Sequence, residues 1–359
     1  MSPTCVRCSG LVEAPAESWL CGACRARLRQ LLSPRAVSRA KDERRQLWPL
    51  GIALIAALMM TGGLLRQYSL AALQPSVAPE WAWRVLDGPS LISPVGVAAD
   101  SEGNLYVVDT AAYQVQKLAP NGTLIATLGT RGGGPGQFEL PSAITLDGIG
   151  NLYVADAGNS RVEELSPAGV PLATWGAPGS APGQFNGPRG VAVDHEGNVY
   201  VADTGNDRVQ KLSPLGKLVA TWGHTGQGPG EFRQPYGLSI DAQGAIYVAD
   251  HWNNRIQKLS PTGVPLAQWG TSGSNRGEFN NPRTVAVDGH GELYVADSFN
   301  HRIQKLSATG VPLGEWGSRG GDAGQFRRPE GLLVDDAGGM VVVDADNARI
   351  QRYVPNIQE

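Results

Sequence analysis

Residues 200–214, "YVADTGNDRVQKLSP", decide the fold because the chain says nearly the same thing twice more: "YVADAGNSRVEELSP" at 153–167 and "YVADHWNNRIQKLSP" at 247–261. The Asp of this phrase falls at Asp109, Asp156, Asp203, Asp250, Asp297 and Asp344, each 47 residues after the last. A second series, Asp100, Asp147, Asp194, Asp241, Asp288 and Asp335, keeps the same step. Six units therefore follow one another between these anchors without an insertion or deletion. Such regularity marks equivalent modules, each packed on its neighbours.

One unit is "GVAVDHEGNVYVADTGNDRVQKLSPLGKLVATWG", residues 190–223. "GVAVD" and "VYVAD" are short apolar, β-branched runs bounded by turn residues, which predicts two strands. Between them "DHEGN" offers Asp to cap a turn and Gly for a positive φ, so a tight hairpin joins them. "RVQKLS" alternates apolar and polar residues as a third strand does. "SPLGK" turns the chain into a fourth strand, "LVATW". No unit shows the 3.6-residue period of a helix.

Four antiparallel strands repeated six times predict an all-β, six-bladed β-propeller. The pattern P-x-G-[VL]-x-[VI]-D-x-x-G-x-[VIL]-Y-V-A-D-x-x-N-x-R-[VI]-Q resembles the NHL repeat over roughly residues 81–355. Blade one departs from it: "VVDTAAYQVQ" has Ala112 and Gln114 where blade three has Asn206 and Arg208. The last unit ends at "RIQRYVPNIQE" with no fourth strand, while "WAWRVLDG" (81–88) precedes the first unit as a spare one. The N-terminal strand should therefore form the outer edge of the last blade and close the ring.

Composition changes near residue 80. Residues 1–79 carry ten Lys/Arg against four Asp/Glu, and residues 80–359 carry 20 against 29, so the net charge of −3 conceals a basic start and an acidic remainder. Residues 46–65, "QLWPLGIALIAALMMTGGLL", hold no charge. As a helix they would span ~30 Å, the thickness of a bilayer core, and they read as one transmembrane helix. The rival readings are a buried core helix and a cleaved signal peptide. The first is not needed by a complete propeller, and 45 mostly polar residues before the run are too many for a signal. Arg25, Arg27, Arg29, Arg35, Arg39, Lys41, Arg44 and Arg45 precede the span. The positive-inside rule then places the N-terminus in the cytoplasm and the propeller outside the cell membrane. On this reading 31–45 is a basic juxtamembrane segment, 66–80 a stalk and 81–359 the propeller.

All four cysteines lie in residues 1–30, as Cys5-x2-Cys8-x12-Cys21-x2-Cys24. Paired CxxC units present four thiolates to Zn²⁺ in a structural site with no open position, and the segment resembles the short zinc ribbons of bacterial membrane proteins. Disulfides are the alternative, which a reducing cytoplasm disfavours.

Repetition also filters function. Residues present in every blade, such as both Asp series, read as scaffold, and so do Trp175, Trp222, Trp269 and Trp316 on the outer strands. Function belongs where the units differ, on the face that carries the loops after the second and fourth strands. Blades three to six offer Arg189, Arg233, Tyr236, His251, Trp252, Arg283, Phe299, His301, Arg327, Arg328 and Glu330 there. Trp252 and Arg283 are both expected on exposed loops. Aromatics beside Arg and His on a concave face suit an anionic or polar ligand, whereas ordinary solvated loop decoration is the alternative.

Three classes of function compete. The first is a binding, sensor or scaffold module for a protein, peptide or glycan, and the chain resembles the membrane-anchored NHL sensor domains of bacterial Ser/Thr kinases, without a kinase domain. The second is a metal-dependent lyase or hydrolase. The NHL resemblance implies this class because some NHL-type propellers, such as the peptide-amidating lyases, are metal-dependent and need several His on one ion. Here His195 and His290 fall on the opposite face, leaving His224, His251 and His301, and none recurs on the innermost strands. Nucleic-acid binding is the third. It wants a basic surface that this acidic domain lacks, and the tail has half the ligands of a RING. No catalytic constellation stands out.

Overall fold

The computed structural model describes residues 82–355. The zinc-ribbon cysteines, the apolar run 46–65 and the stalk lie outside the described residues. Among the described residues no helix is long and apolar enough to cross a membrane. What they form is a six-bladed propeller of four-stranded antiparallel sheets.

Blade one comprises Pro94–Ala99, Leu105–Asp109, Gln114–Leu118 and Leu124–Leu128. Blade three comprises Gly190–Val193, Val199–Asp203, Arg208–Leu212 and Leu218–Trp222, and the other blades repeat this order from the centre outward. In blade six the inner strands are Pro329–Val334, Met340–Asp344 and Arg349–Val354, and the outer one is Ala82–Val85. It pairs antiparallel with the last strand, Ala82 opposite Val354 and Val85 opposite Gln351. The closure expected from the spare N-terminal strand is what the chain adopts.

The second strand of each blade is buried throughout, as "VYVAD" at 199–203 shows, because both of its faces pack against neighbouring blades. The core is accordingly a set of clusters between blades, such as Tyr200, Ala202 and Val209 of blade three with Phe232, Leu238 and Ile246. Inner strands approach so closely that only Gly fits at some places. A Cβ on Gly190 would overlap the carbonyl oxygen of Tyr236 in the next blade.

Both Asp series are scaffold. Asp194 Oδ1 accepts the amides of Glu196 (3.0 Å) and Asn198 (2.8 Å), closing the first hairpin. Asp203, with no exposed surface, accepts Asn186 N–H (2.7 Å), Asn206 Nδ2 (2.9 Å) and Arg208 Nε (2.6 Å). Its arginine donates onward to the carbonyls of Ser180, Ala181 and Gln184, so one buried ion pair holds the long loop between blades. In blade one, which has no such Arg, Asp109 keeps the equivalent amide, from Ile92, and gains a second from Ser93, each at 2.8 Å. Trp175, Trp222, Trp269 and Trp316 stack on Tyr153, Tyr200, Tyr247 and Tyr294.

Candidate functional site at the channel mouth

The loops after the second and fourth strands do share one face. Backbone hydrogen bonds tie them together in successive blades: Gly205 N–H to Asn186 O, Trp252 N–H to Arg233 O and Phe299 N–H to Asn280 O. On this face opens a cavity of about 300 Å³ lined by the innermost strands of all six blades. Six lining residues are related by the 47-residue step: Val95, Ser142, Arg189, Tyr236, Arg283 and Glu330. The ring is thus small or apolar in blades one and two and charged or aromatic in the other four.

Tyr236 is the centre of the polar arc. The guanidinium carbons of Arg283 and Arg189 lie 4.4 and 5.3 Å from its ring centroid, in cation–π range. The His251 imidazole lies 4.3 Å from the same ring. His251 occupies the place of Thr110, Thr204 and Ser298, whose hydroxyls donate to the carbonyls of Pro141, Pro235 and Pro329. Its Nδ1 lies 3.2 Å from Pro282 O, which assigns the proton to Nδ1, and Nε2 faces Asn281 Nδ2 at 3.3 Å. Burial, with the Arg283 charge beside it, pushes its pKa down to about 4. The imidazole is therefore neutral at physiological pH.

Glu330 is buried between two arginines. Arg283 Nη1 is 3.5 Å from it and Arg328 Nε 3.2 Å, while Arg328 Nη2 also meets Asp346 at 2.8 Å. Arg283 Nε is buried with no hydrogen-bond acceptor. Arg189 is exposed and, among the described residues, meets no carboxylate. Three guanidinium groups thus stand against the two carboxylates of Glu330 and Asp346, leaving the mouth cationic. In a concavity such an excess concentrates anions.

Of the residues singled out in the sequence, the structure brings together Arg189, Tyr236, His251, Arg283 and Glu330. Two expectations need correction. Arg283 lies on the inner strand Pro282–Val287, not on a loop, and is only partly exposed. His251 is buried beneath Tyr236 rather than offered to solvent. Arg233 and Trp252 line a separate recess away from the ring. Phe299 and Arg327 are exposed on the same face. His301 is committed locally: its Nδ1 accepts Arg328 N–H at 3.1 Å, as Asn254 Oδ1 accepts Asn281 N–H and Asp207 Oδ1 accepts Gln234 N–H. Val95, Ser142 and Asn281 went unrecognised. Stepping back by 47 from Arg189 would have found the first two. Among the described residues no three His, Cys, Asp or Glu side chains converge as metal ligands.

The NHL repeat family matches residues 185–212, 232–259 and 279–306, so blades three, four and five of the six-bladed β-propeller carry NHL repeats. No curated protein sequence matches it. Among solved structures it is similar to a gluconolactonase from Xanthomonas campestris, at 14% identity and a TM-score of 0.57 over 76% of this chain and 89% of the other. It is also similar to a catalytically inactive virginiamycin B lyase from Staphylococcus aureus with quinupristin, at 13% identity and a TM-score of 0.55 over 77% and 90%. A streptogramin B lyase follows at 16% identity and a TM-score of 0.53 over 77% and 88%. At these identities the likeness is one of fold.

Proposed function

We propose that the propeller is a binding module that takes an anionic group of its ligand at the channel mouth, between Arg189 and Arg283 and against Tyr236. The observation that carries this reading is the exposed, carboxylate-free Arg189 beside the partly exposed Arg283, both against the Tyr236 ring. An anion there would receive charge-assisted hydrogen bonds from donors already held in place. Glu330, paired with Arg283 and Arg328, and the buried His251 position the arc. Titration calorimetry of the full chain with phosphate, citrate and an acidic peptide tests this. Saturable binding that disappears in Arg189→Ala supports the mouth, and no saturable binding by any of the three sinks it.

In the same proposal residues 46–65 anchor the propeller outside the cell and Cys5, Cys8, Cys21 and Cys24 hold one structural Zn²⁺ in the cytoplasm. The charge asymmetry about the span and the paired CxxC spacing support it. Protease added to intact cells should remove the propeller and spare the tail. Protection of the propeller would reverse the topology.

A propeller enzyme is the second reading. Its support is that structures described as a lyase and a gluconolactonase share the fold, and that a neutral His251 lies against Tyr236 at the channel mouth. Metal content above one zinc per purified chain would favour it.

A further inference from the structure

We propose that the recess between blades three and four is a saccharide subsite, with the Trp252 indole as the platform for one sugar ring. The recess holds about 280 Å³ and lies on the same face as the channel mouth, but shares no residue with it. Thr204, Gly205 and Asp207 form its blade-three side, and Thr225, Arg233, Gln234 and Trp252 line the rest.

The recess exists because the repeats differ at one position. The series is Ala111, Gly158, Gly205, Trp252, Phe299 and Asp346. Gly205 leaves one wall low where Trp252 raises the other. Gly205 is also required, since a Cβ there would meet Asn186 Cγ at 2.6 Å and the Asn186 carbonyl oxygen at 2.7 Å. The indole is 57% exposed, yet its backbone is fixed. Trp252 N–H donates to Arg233 O at 3.1 Å, and Asn254 closes the turn in the left-handed region. A large apolar ring is thus presented to water by a rigid turn, which lowers the ordering cost of binding.

The polar groups around it suit hydroxyls. Asp207 Oδ2 accepts the Thr225 hydroxyl (2.6 Å) and Oδ1 accepts Gln234 N–H (2.7 Å). These bonds fix the carboxylate and leave each oxygen a lone pair for a ligand donor. The Arg233 side chain is exposed and, among the described residues, meets no carboxylate. One acid and one base make the recess neutral, unlike the cationic mouth. A pyranose matches this pattern: one face of C–H groups to lie on the indole, and a rim of hydroxyls that both donate to Asp207 and accept from Arg233. An aromatic peptide side chain would use the indole and leave the acid and base unanswered.

This inference rests on the propeller being a binding module, and not on an anion at the mouth. The test is calorimetry of the full chain with cellotetraose, chitotetraose and maltotetraose, and with an aromatic-rich peptide. At least one of the saccharides should bind saturably. Trp252→Ala should weaken it about tenfold or more, which corresponds to about 1.4 kcal/mol, while Trp252→Phe keeps most of the affinity. Arg189→Ala should leave it unchanged. Should Trp252→Ala lower the melting temperature, Arg233→Ala serves as the reporter, since it too should weaken binding. The subsite is overturned if none of the saccharides binds, if binding ignores both recess variants, if it falls with Arg189→Ala instead, or if only the peptide binds.

Discussion

Trp83, from the strand that opens the propeller, meets Phe326, from the loop that enters the last blade, edge to face at 5.0 Å and 81°. Tyr353, on the last strand, lies 5.2 Å from the same indole. The two ends of the propeller are therefore joined by side-chain packing as well as by the backbone ladder between Ala82–Val85 and Arg349–Val354. An unpaired edge on the last blade would be open to water and to other chains.

Trp83→Ala removes a half-buried aromatic at this seam and should cost about 2 kcal/mol, read as a lowered denaturation midpoint. Deleting residues 81–88 should do more, replacing one cooperative transition with a broad one or with aggregation. A deletion variant that unfolds like the parent would show that the seam does not close the ring.

Glu163 stands alone among its equivalents. Gln116, Gln210, Gln257, Gln304 and Gln351 occupy this buried place in the other blades. There, Gln210 Nε2 donates to Gln184 O (2.7 Å) and to Asp203 Oδ2 (3.0 Å). Glu163 keeps the accepted bond, from Gly136 N–H at 2.8 Å, but the donor end has become an oxygen beside Asp156, with Arg161 Nη2 at 2.8 Å as its cation. Burial, opposed by Gly136 and Arg161 and assisted by the Asp156 charge, pushes its pKa up. A raised carboxylate binds its proton more tightly when folded, so its stabilising contribution is complete below the unfolded value and is lost as pH rises through the folded one. Glu163→Gln should therefore stabilise the domain by about 1 kcal/mol at neutral pH by restoring the donor, and the gain should shrink toward acid. Equal stabilisation at all pH values would contradict a titrating Glu163.

His251 has the opposite sign. Its folded pKa of about 4 lies below the ordinary 6.5, so the stability it contributes is present above pH 6.5 and is lost as pH falls toward 4. His251→Thr copies Thr204, keeps a donor for the Pro282 carbonyl and removes the titration. Unfolding midpoints of this variant should vary less than those of the parent across that window. An unchanged acid dependence would place the responsible group elsewhere.

Arg189→Ala and Arg283→Ala should separate. Arg189 is exposed and unpaired with acid, so its loss should stay within about 0.5 kcal/mol of stability. Loss of Arg283 leaves the buried Glu330 with Arg328 alone and uncovers Tyr236, and should cost about 1–3 kcal/mol. Chemical denaturation of the two variants decides this; equal, negligible losses would return Arg283 to the surface role that the sequence suggests.

Much of the fold was readable because propeller interactions recur at a fixed interval. A step of 47 with two anchoring Asp residues gave blade number, strand order and the scaffold role of Asp194 and Asp203. The unmatched ends at "WAWRVLDG" and "RIQRYVPNIQE" gave the closure. The site was only partly readable. Variation between blades picked out Arg189, Tyr236, Arg283 and Glu330, and the 47-residue step makes them equivalent, but their side-chain contacts with one another depend on how the blades converge. The same criterion gathered His301, whose imidazole is spent on the Arg328 amide.

The sequence by itself determined the local elements, alternating strands and Asp-capped turns set by interactions a few residues apart, and, through its 47-residue period, the number of units. Only the tertiary structure decided which varied residues face the channel and which are consumed as supports. His251 and Trp252 are adjacent in the chain, yet one is buried under Tyr236 and the other is exposed in the recess. That division follows from how the inner strands converge, where the backbone contact at Gly190 brings blades three and four together and the side chains of Arg189, Tyr236 and Arg283 are left to fill the mouth.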